Sequence, residues 1–559
     1  MKNTKVICII IALALVIGCV IFFVANSIDN SGKTTTQISR EETVADLMKY
    51  VDRKIDYTEK ANPVKGTVNL EGNSLEDELP DINGYPFKVK GTANVNVEIF
   101  SSPEKAGSET SSNDPKANTW LLDVSEQFNK KMYTTSDGKT VSVSIRSVSS
   151  GLACDYIVSG KYLPDAFTPS NETWVSMLKA KGVSLTQEEK CLVGNVAGIV
   201  LKEKTYNELL DKYGKVDIEA VIDATINGLA MGYTNPYASS TGLNFLVTSL
   251  DSLGNDVSKF QDFQKNVPVV SYNTTQMQSA INSGVLDAMI LEYQTFINTP
   301  ELRNYKFIPF GVRHDNPLYS IGNLSSEKKE ALKLFAEFAT NSESQKLATK
   351  YGFNSLNYVP NIDEPDGETL LDAQELWKKE KDCGQEIISV FVVDTSGSVD
   401  GAPLNEMKES LVNAAQYINP EHYIGLISYN SNVTINLPID KFDLSHRAYF
   451  NGEVENLTAS GDTMTFDAIA VALKMIEEAK VDHPNAKCMI FVLSDGLSYG
   501  SLSSVEDFID DLNIPIHTIG YNANIAALRE ISEINEGAAI NAATDDIIYV
   551  LKNLFNAQL

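Results

Sequence analysis

Histidine is nearly absent from this chain, with five in 559 residues, and none sits in a motif suggestive of catalysis. No GxSxG motif accompanies a base, so a serine hydrolase is not indicated. Cysteine is almost as scarce. Of the six, Cys8 and Cys19 lie in the N-terminal apolar run, and Cys154, Cys191, Cys383 and Cys488 show no CxxC spacing. That pattern argues against a disulfide framework or a zinc site, although a single Cys154–Cys191 bridge stays open. Cys488 lies within an apolar run and reads as a buried structural thiol; His517, in its strand, reads as a core residue. Positive charge is also lacking. A net charge of −28 speaks against non-specific nucleic-acid binding and fits a soluble, exposed protein without identifying a partner.

What the chain does have begins at its N-terminus. Val6 to Ala25 is uncharged and almost wholly apolar, and Lys2 and Lys5 precede it. Twenty residues at ~1.5 Å each span ~30 Å, the thickness of a hydrocarbon core. The lysines mark the cytoplasmic side and place everything after Asn26 outside. No small-x-small exit supports a cleaved signal peptide. Val16-Ile17-Gly18-Cys19 is similar to a bacterial lipobox, so lipidation at Cys19 is the alternative to a single-pass membrane helix. Either route gives a tethered, exported protein.

At ~150 residues per domain the length implies about three units. Segments 1–25 (anchor or signal), 26–90 (spacer and a poorly defined stretch), 91–360, 361–385 (connector) and 386–559 follow from composition and pattern. Within the spacer, Val44, Leu47, Met48 and Val51 mark a short amphipathic helix.

The most informative stretch is Ile387-Ile388-Ser389-Val390-Phe391-Val392-Val393-Asp394-Thr395-Ser396-Gly397-Ser398. A continuous apolar run reads as a strand buried on both faces of a parallel sheet. Met407, Leu411, Ala414 and Ile418 then give a helix over 402–418 one apolar face. The intervening loop therefore lies at the carboxyl end of the sheet, where open α/β folds bind ligands. Asp394, Ser396 and Ser398 alternate in it, and three hard oxygen donors without Cys or His suit a magnesium-type ion. Capping of the following helix is the plain alternative. A haloacid-dehalogenase-type nucleophile would need an acid where Ser396 stands, and the acidic ligands of an EF-hand loop are missing.

Further strands at 422–429, 433–437, 488–493 and 514–520, with helices at 464–479 and 545–556, predict a doubly wound sheet. It should hold about six strands, mostly parallel, with one antiparallel edge. Thr463 opens a helix after Gly461-Asp462, and Ser494-Asp495-Gly496 ends the strand 488–493. Together with Asp-x-Ser-x-Ser, these positions resemble the von Willebrand factor type A domain and its metal-ion-dependent adhesion site. The resemblance implies that Ser396, Ser398 and Thr463 bind Mg²⁺ (or Mn²⁺ or Ca²⁺) directly, while Asp394 and Asp495 orient bound water or enter the first shell. It also implies one coordination position left for an acidic residue of a protein partner. Asp462, where that family often has Gly, departs from the pattern and adds a negative charge.

The middle region alternates strand and helix from Val95 onward: a strand at 94–100, a helix at 120–131 and a strand at 141–145. Later elements include a helix at 243–250 and one over 327–351. Hydroxyl-rich turns follow the strands, and a hydroxyl cluster at a helix N-terminus suits an anionic ligand or merely caps the helix. Phe100-Ser101-Ser102-Pro103-Glu104-Lys105, Tyr156 to Ala166 and Asn235 to Gly242 are similar to bacterial extracellular solute-binding proteins. That resemblance implies two α/β lobes closing on a small-molecule solute, with Ser101, Ser102, Ser149, Ser150, Ser239, Ser240 and Thr241 facing the cleft.

The expectation is thus a binding protein rather than an enzyme, anchored in the membrane, that grips a partner through a metal ion. A solute receptor for uptake or sensing is the alternative. The metal loop is expected at the far end from the tether, with the two-lobed module between.

Overall fold

The computed structural model describes residues 39–69, 74–107, 116–267, 269–271, 277, 286–496 and 502–521, with positions 528, 531–532, 539–542, 551, 554–555 and 558–559 beyond. The expected membrane segment and lipobox lie outside the described residues, as does most of the helix at 545–556. Among the described residues no helix is long and apolar enough to cross a membrane.

The first described element is α1 (Arg40–Lys54), opened by a capping box in which Ser39 and Glu42 exchange hydrogen bonds. Thr43, Leu47 and Val51 form its buried face. After it comes β1 (Tyr57–Glu59). Neither belongs to a free spacer, because β1 pairs with a strand of the C-terminal sheet.

Two sheets build the middle region. The first contains β2 (Phe87–Val89), β3 (Val95–Ser101), β4 (Val141–Ser147), β5 (Ala166–Thr168) and β6 (Leu185–Glu189), together with a late strand. Helices α2 (Ser150–Ser159) and α3 (Thr173–Ala180) belong to this lobe. The second contains β7 (Asn195–Lys202), β8 (Met231–Thr234), β9 (Val269–Ser271), β10 (Ala288–Glu292) and β11 (Tyr305–His314), with helices α4 (Ser240–Ser252) and α5 (Val257–Gln264). The chain then returns to the first sheet as β12 (Leu318–Ile321), giving the orders β2-β4-β3-β5-β12-β6 and β11-β7-β10-β8-β9. The long helix expected over 327–351 is two helices, Ser326–Ala339 and Ser342–Lys350. Asn341 between them caps the second by accepting from the Glu343 and Ser344 amides.

The expected connector is helix α6 (Gly367–Glu380), whose Leu370, Ala373 and Trp377 are buried in one apolar cluster with residues of both lobes. It leads into β13 (Ile387–Asp394), then α7 (Ala402–Ala414), β14 (Tyr423–Tyr429), β15 (Val433–Lys441), α8 (Leu444–Glu455), α9 (Thr465–Ala479), β16 (Lys487–Ser494), α10 (Glu506–Leu512), β17 (Ile516–Tyr521) and β18 (Ala539–Ala542). The sheet order is β1-β15-β14-β13-β16-β17-β18. β13 is buried on both faces: Ile387, Phe391 and Val393 enter one core, Ile388, Val390 and Val392 the other. That is the two-sided burial its unbroken apolar run requires.

β14 and β15 pair antiparallel, as their hairpin predicts, but β15 is not the edge. β1 adds to it in parallel, Tyr57 opposite Val433 and Glu59 opposite Ile435. Helix α1 packs on the same domain, where Arg40 pairs with Glu477 and donates to the Leu512 carbonyl at 2.9 Å. Farther on, Gly66 crosses Gly452 so closely that a Cβ on Gly66 would stand 2.6 Å from the Gly452 nitrogen. Residues 40–69 are therefore an arm of the C-terminal domain, not a linker, because they supply an edge strand and bury apolar side chains there. The first described segment, residues 40–69, thus docks on the C-terminal domain, not on the lobes.

Candidate metal centre and cleft

β13 and β16 run parallel and adjacent, with Val393 opposite Leu493, so Asp394 and Ser494 leave the sheet side by side. Asp394 is fully buried. Its Oδ1 accepts from the Ser396 amide at 2.8 Å and its Oδ2 from Ser494 Oγ at 2.7 Å. Burial pushes its carboxyl above the ordinary range, Asp495 adds to that, and the hydrogen bonds from Ser494 and Ser396 oppose it. The hydroxyls of Ser396 and Ser398 stand 2.9 Å apart. Backbone bonds lace this turn to the next loop: Gly397 N donates to Gly461 O at 2.9 Å and Ser460 N to Thr395 O at 2.8 Å. Gly461, at φ +78°, permits the bend that carries the chain to buried Thr463. Tyr429 lies beneath, its carbonyl accepting from both the amide and the hydroxyl of Thr395.

The seven expected cleft hydroxyls are all buried. Ser240 Oγ accepts from Trp174 Nε1 at 2.8 Å and lies 3.3 Å from Ser150 Oγ, contacts that cross from one lobe to the other. Ser239 caps α4, accepting from the Gly242 amide, and also takes a bond from Thr234 at 2.9 Å. Ser149 stands at the N-cap of α2 without a side-chain cap bond. Thr241 Oγ1 donates to Glu292 at 3.4 Å. Ser102 lies between Glu104 and Lys105, and Ser101 Oγ donates to the Ser102 carbonyl at 3.2 Å. Around them sit groups that sequence reasoning missed. Lys105 is fully buried and donates to the Thr168 carbonyl at 2.9 Å; burial draws its amine down while Glu104 pulls the other way. Glu292 accepts from Asn195 at 2.6 Å and meets His314 Nδ1 at 2.8 Å. Lys105 belongs to the 100–105 turn, where nothing local marks it as buried, and Asn195, Glu292 and His314 are scattered singly through the chain, so no local pattern announces them.

Residues 390–556 match the family model of the von Willebrand factor type A domain, and residues 115–354 that of the bacterial extracellular solute-binding protein. The chain carries both domains. The mouse collagen alpha-6(VI) chain is 28% identical over 148 residues, 25% of this chain and 6% of that one. The human voltage-dependent calcium channel subunit alpha-2/delta-2 is 24% identical over 136 residues, 23% of this chain and 11% of its own length. The chain thus spans only a small part of these relatives. Among solved structures, iron-bound HitA from Pseudomonas aeruginosa is similar at 14% identity over 52% of this chain and 99% of that one, with a TM-score of 0.36.

In the type A domain, the donor set at the end of β13 consists of paired hydroxyls and an oriented, buried carboxylate. That chemistry fits a hard divalent cation, which prefers oxygen ligands and relieves a buried negative charge. Among the described residues no cluster of three or more His, Cys, Asp or Glu forms a rival centre. Ser494 is the contributor that sequence reasoning overlooked. Its role depends on strand register, which the motif does not encode. Cys154 and Cys191 in the solute-binding domain are free thiols, so the bridge left open above is not formed. Cys488 is buried, as its apolar run implies, and so is His517.

Proposed function

We propose that this is a tethered, exported binding protein whose type A domain grips an acidic residue of a protein partner through a divalent cation, Mg²⁺ or Mn²⁺ foremost. The reading rests on one observation: two adjacent hydroxyls, Ser396 and Ser398, beside a buried Asp394 held at both oxygens. Ser396, Ser398 and Thr463 would hold the ion, with Asp394 and Asp495 behind them. A bound cation supplies a Lewis-acidic position for a partner's carboxylate. The rest is done by the chain: Ser494 and the Ser396 amide fix Asp394, and backbone bonds tie residues 460 and 461, just before Thr463, to the first turn. Few direct charges on such an ion leave it in need of an external acid. Titration calorimetry of the full chain with Mn²⁺ tests the assignment. Saturable binding that is lost in Asp394→Ala supports it; equal binding by both proteins overturns it.

A second reading, a solute receptor with the type A domain as accessory, is favoured by buried polar contacts between the lobes, Ser240 with Trp174 and Ser150 and His314 with Asn171, beside the Glu292–His314 pair. Both readings describe binding, not catalysis, and anchoring through residues 6–25 or Cys19 belongs to either.

A further inference from the structure

Helix α6 lies across both lobes of the solute-binding domain. At its start it rests on the first lobe: a Cβ on Gly367 would stand 2.2 Å from the Ser176 carbonyl oxygen of α3. Its middle is bonded to the second lobe. Gln374 Nε2 donates to the Pro236 carbonyl at 2.8 Å, and Trp377 Nε1 donates to the Tyr233 hydroxyl at 2.7 Å, which in turn donates to Gln264 at 2.6 Å. At its end Glu380 accepts from Gln261 of α5 at 2.6 Å. Leu370 and Trp377 share one buried cluster with Trp174 and Leu178 of the first lobe and Leu243 and Phe245 of the second.

These bonds fall directly behind the seam. The loop that Gln374 holds, Pro236 to Ser239, is the loop that meets the first lobe. A Cβ on Gly151 of α2 would stand 2.2 Å from the Tyr237 carbonyl oxygen, and Ser240 takes the Trp174 bond. The type A domain adds its own hold on the second lobe: Gln558 donates to the Val270 carbonyl of β9 at 2.7 Å. His422, at the entry to β14, faces Asp382 just past α6 at 3.5 Å.

Helix α6 is thus packed on the first lobe and bonded to the second. We propose that α6 is a latch: it holds the two lobes closed, and the seam opens only when α6, with the type A domain attached to it, releases its hold. Solute entry and the position of the type A domain are then linked, and the linkage acts in both directions. A ligand that needs the open seam disfavours the docked type A domain, and docking disfavours that ligand by the same factor.

Hydrogen exchange of the full chain tests this without any solute or metal. The variants are Gln374→Ala with Trp377→Phe, and separately Tyr233→Phe, which removes the acceptor while keeping the ring. If α6 is a latch, amides 149–153 and 237–242 exchange about tenfold faster in both variants, the effect of losing one or two buried hydrogen bonds. Amides of β4 and β7, inside the two lobes, keep their rates within about twofold. Unchanged rates at 149–153 and 237–242 overturn the proposal. So does equal acceleration of β4 and β7, because α6 would then be one part of a single cooperative core. Neither result bears on cation binding at Asp394.

Discussion

Lys60 donates to both carboxylate oxygens of Glu453, at 2.9 and 2.7 Å, across 393 residues of chain. The Glu453 side chain is fully buried in α8, and the Val64 amide also donates to it, at 2.7 Å. The pair pins the arm along the outer edge of the type A domain. Removing one partner of a buried pair is costly, because the other charge is left without compensation. Glu453→Ala should therefore lower the unfolding free energy by roughly 2–4 kcal/mol, and urea denaturation of the full chain measures it. A loss below about 0.5 kcal/mol, the size of a surface pair, would contradict this account.

The crossing of Gly66 and Gly452 leaves no room for a methyl group, since the nearest atoms are backbone and cannot rotate away. Gly66→Ala should detach the arm locally at a cost of about 1–3 kcal/mol. Limited proteolysis should then cut within residues 57–69 while leaving β13 and β16 intact. A fragment that begins at residue 386 lacks β1 and exposes the edge of β15, so it should self-associate more readily than the full chain.

Ser494 touches Asp394, not the proposed ion. Ser494→Ala should weaken Mn²⁺ binding by about ten- to a hundredfold, the usual effect of losing a residue that orients a metal ligand. Ser396→Ala should weaken it further. Calorimetry on both variants separates orientation from ligation: equal affinities for wild type and Ser494→Ala would remove Ser494 from the site.

His517 stacks on Phe491 with ring centroids 5.1 Å apart, and burial, with Lys487 nearby, pushes its pKa down to about 3. The unfolded chain takes up a proton near pH 6.5 that the folded domain refuses, so stability falls as pH drops from about 6.5 towards 3. The slope from this group reaches ~1.4 kcal/mol per pH unit. His517→Phe keeps a ring in the stack and should flatten that part of the profile, as read from urea midpoints between pH 7 and 4.

The loop at the end of β13 was legible in the sequence because its parts are local. A run of seven residues, apolar but for Ser389, reads as a strand buried on two faces, and the residues at its end share one turn. Strand, loop and helix follow one another within thirty residues, so periodicity reports them without knowledge of the remainder. The helix of the arm was legible for the same reason, from Leu47 and Val51 on one face. What that helix packs against was not.

Three decisions belonged to the tertiary structure. β1 is three residues long and carries no periodicity, so only its pairing with Val433–Ile435 reveals it as a strand. Ser494 acts on Asp394 because β13 and β16 are in register, a relation between segments 100 residues apart. Helix α6 looks like a connector until its two faces are seen to belong to two lobes. Sequence patterns report which side of an element is apolar. The partner that covers that side is chosen by the free energy of the whole chain, and here it drew the first described residues onto the last domain.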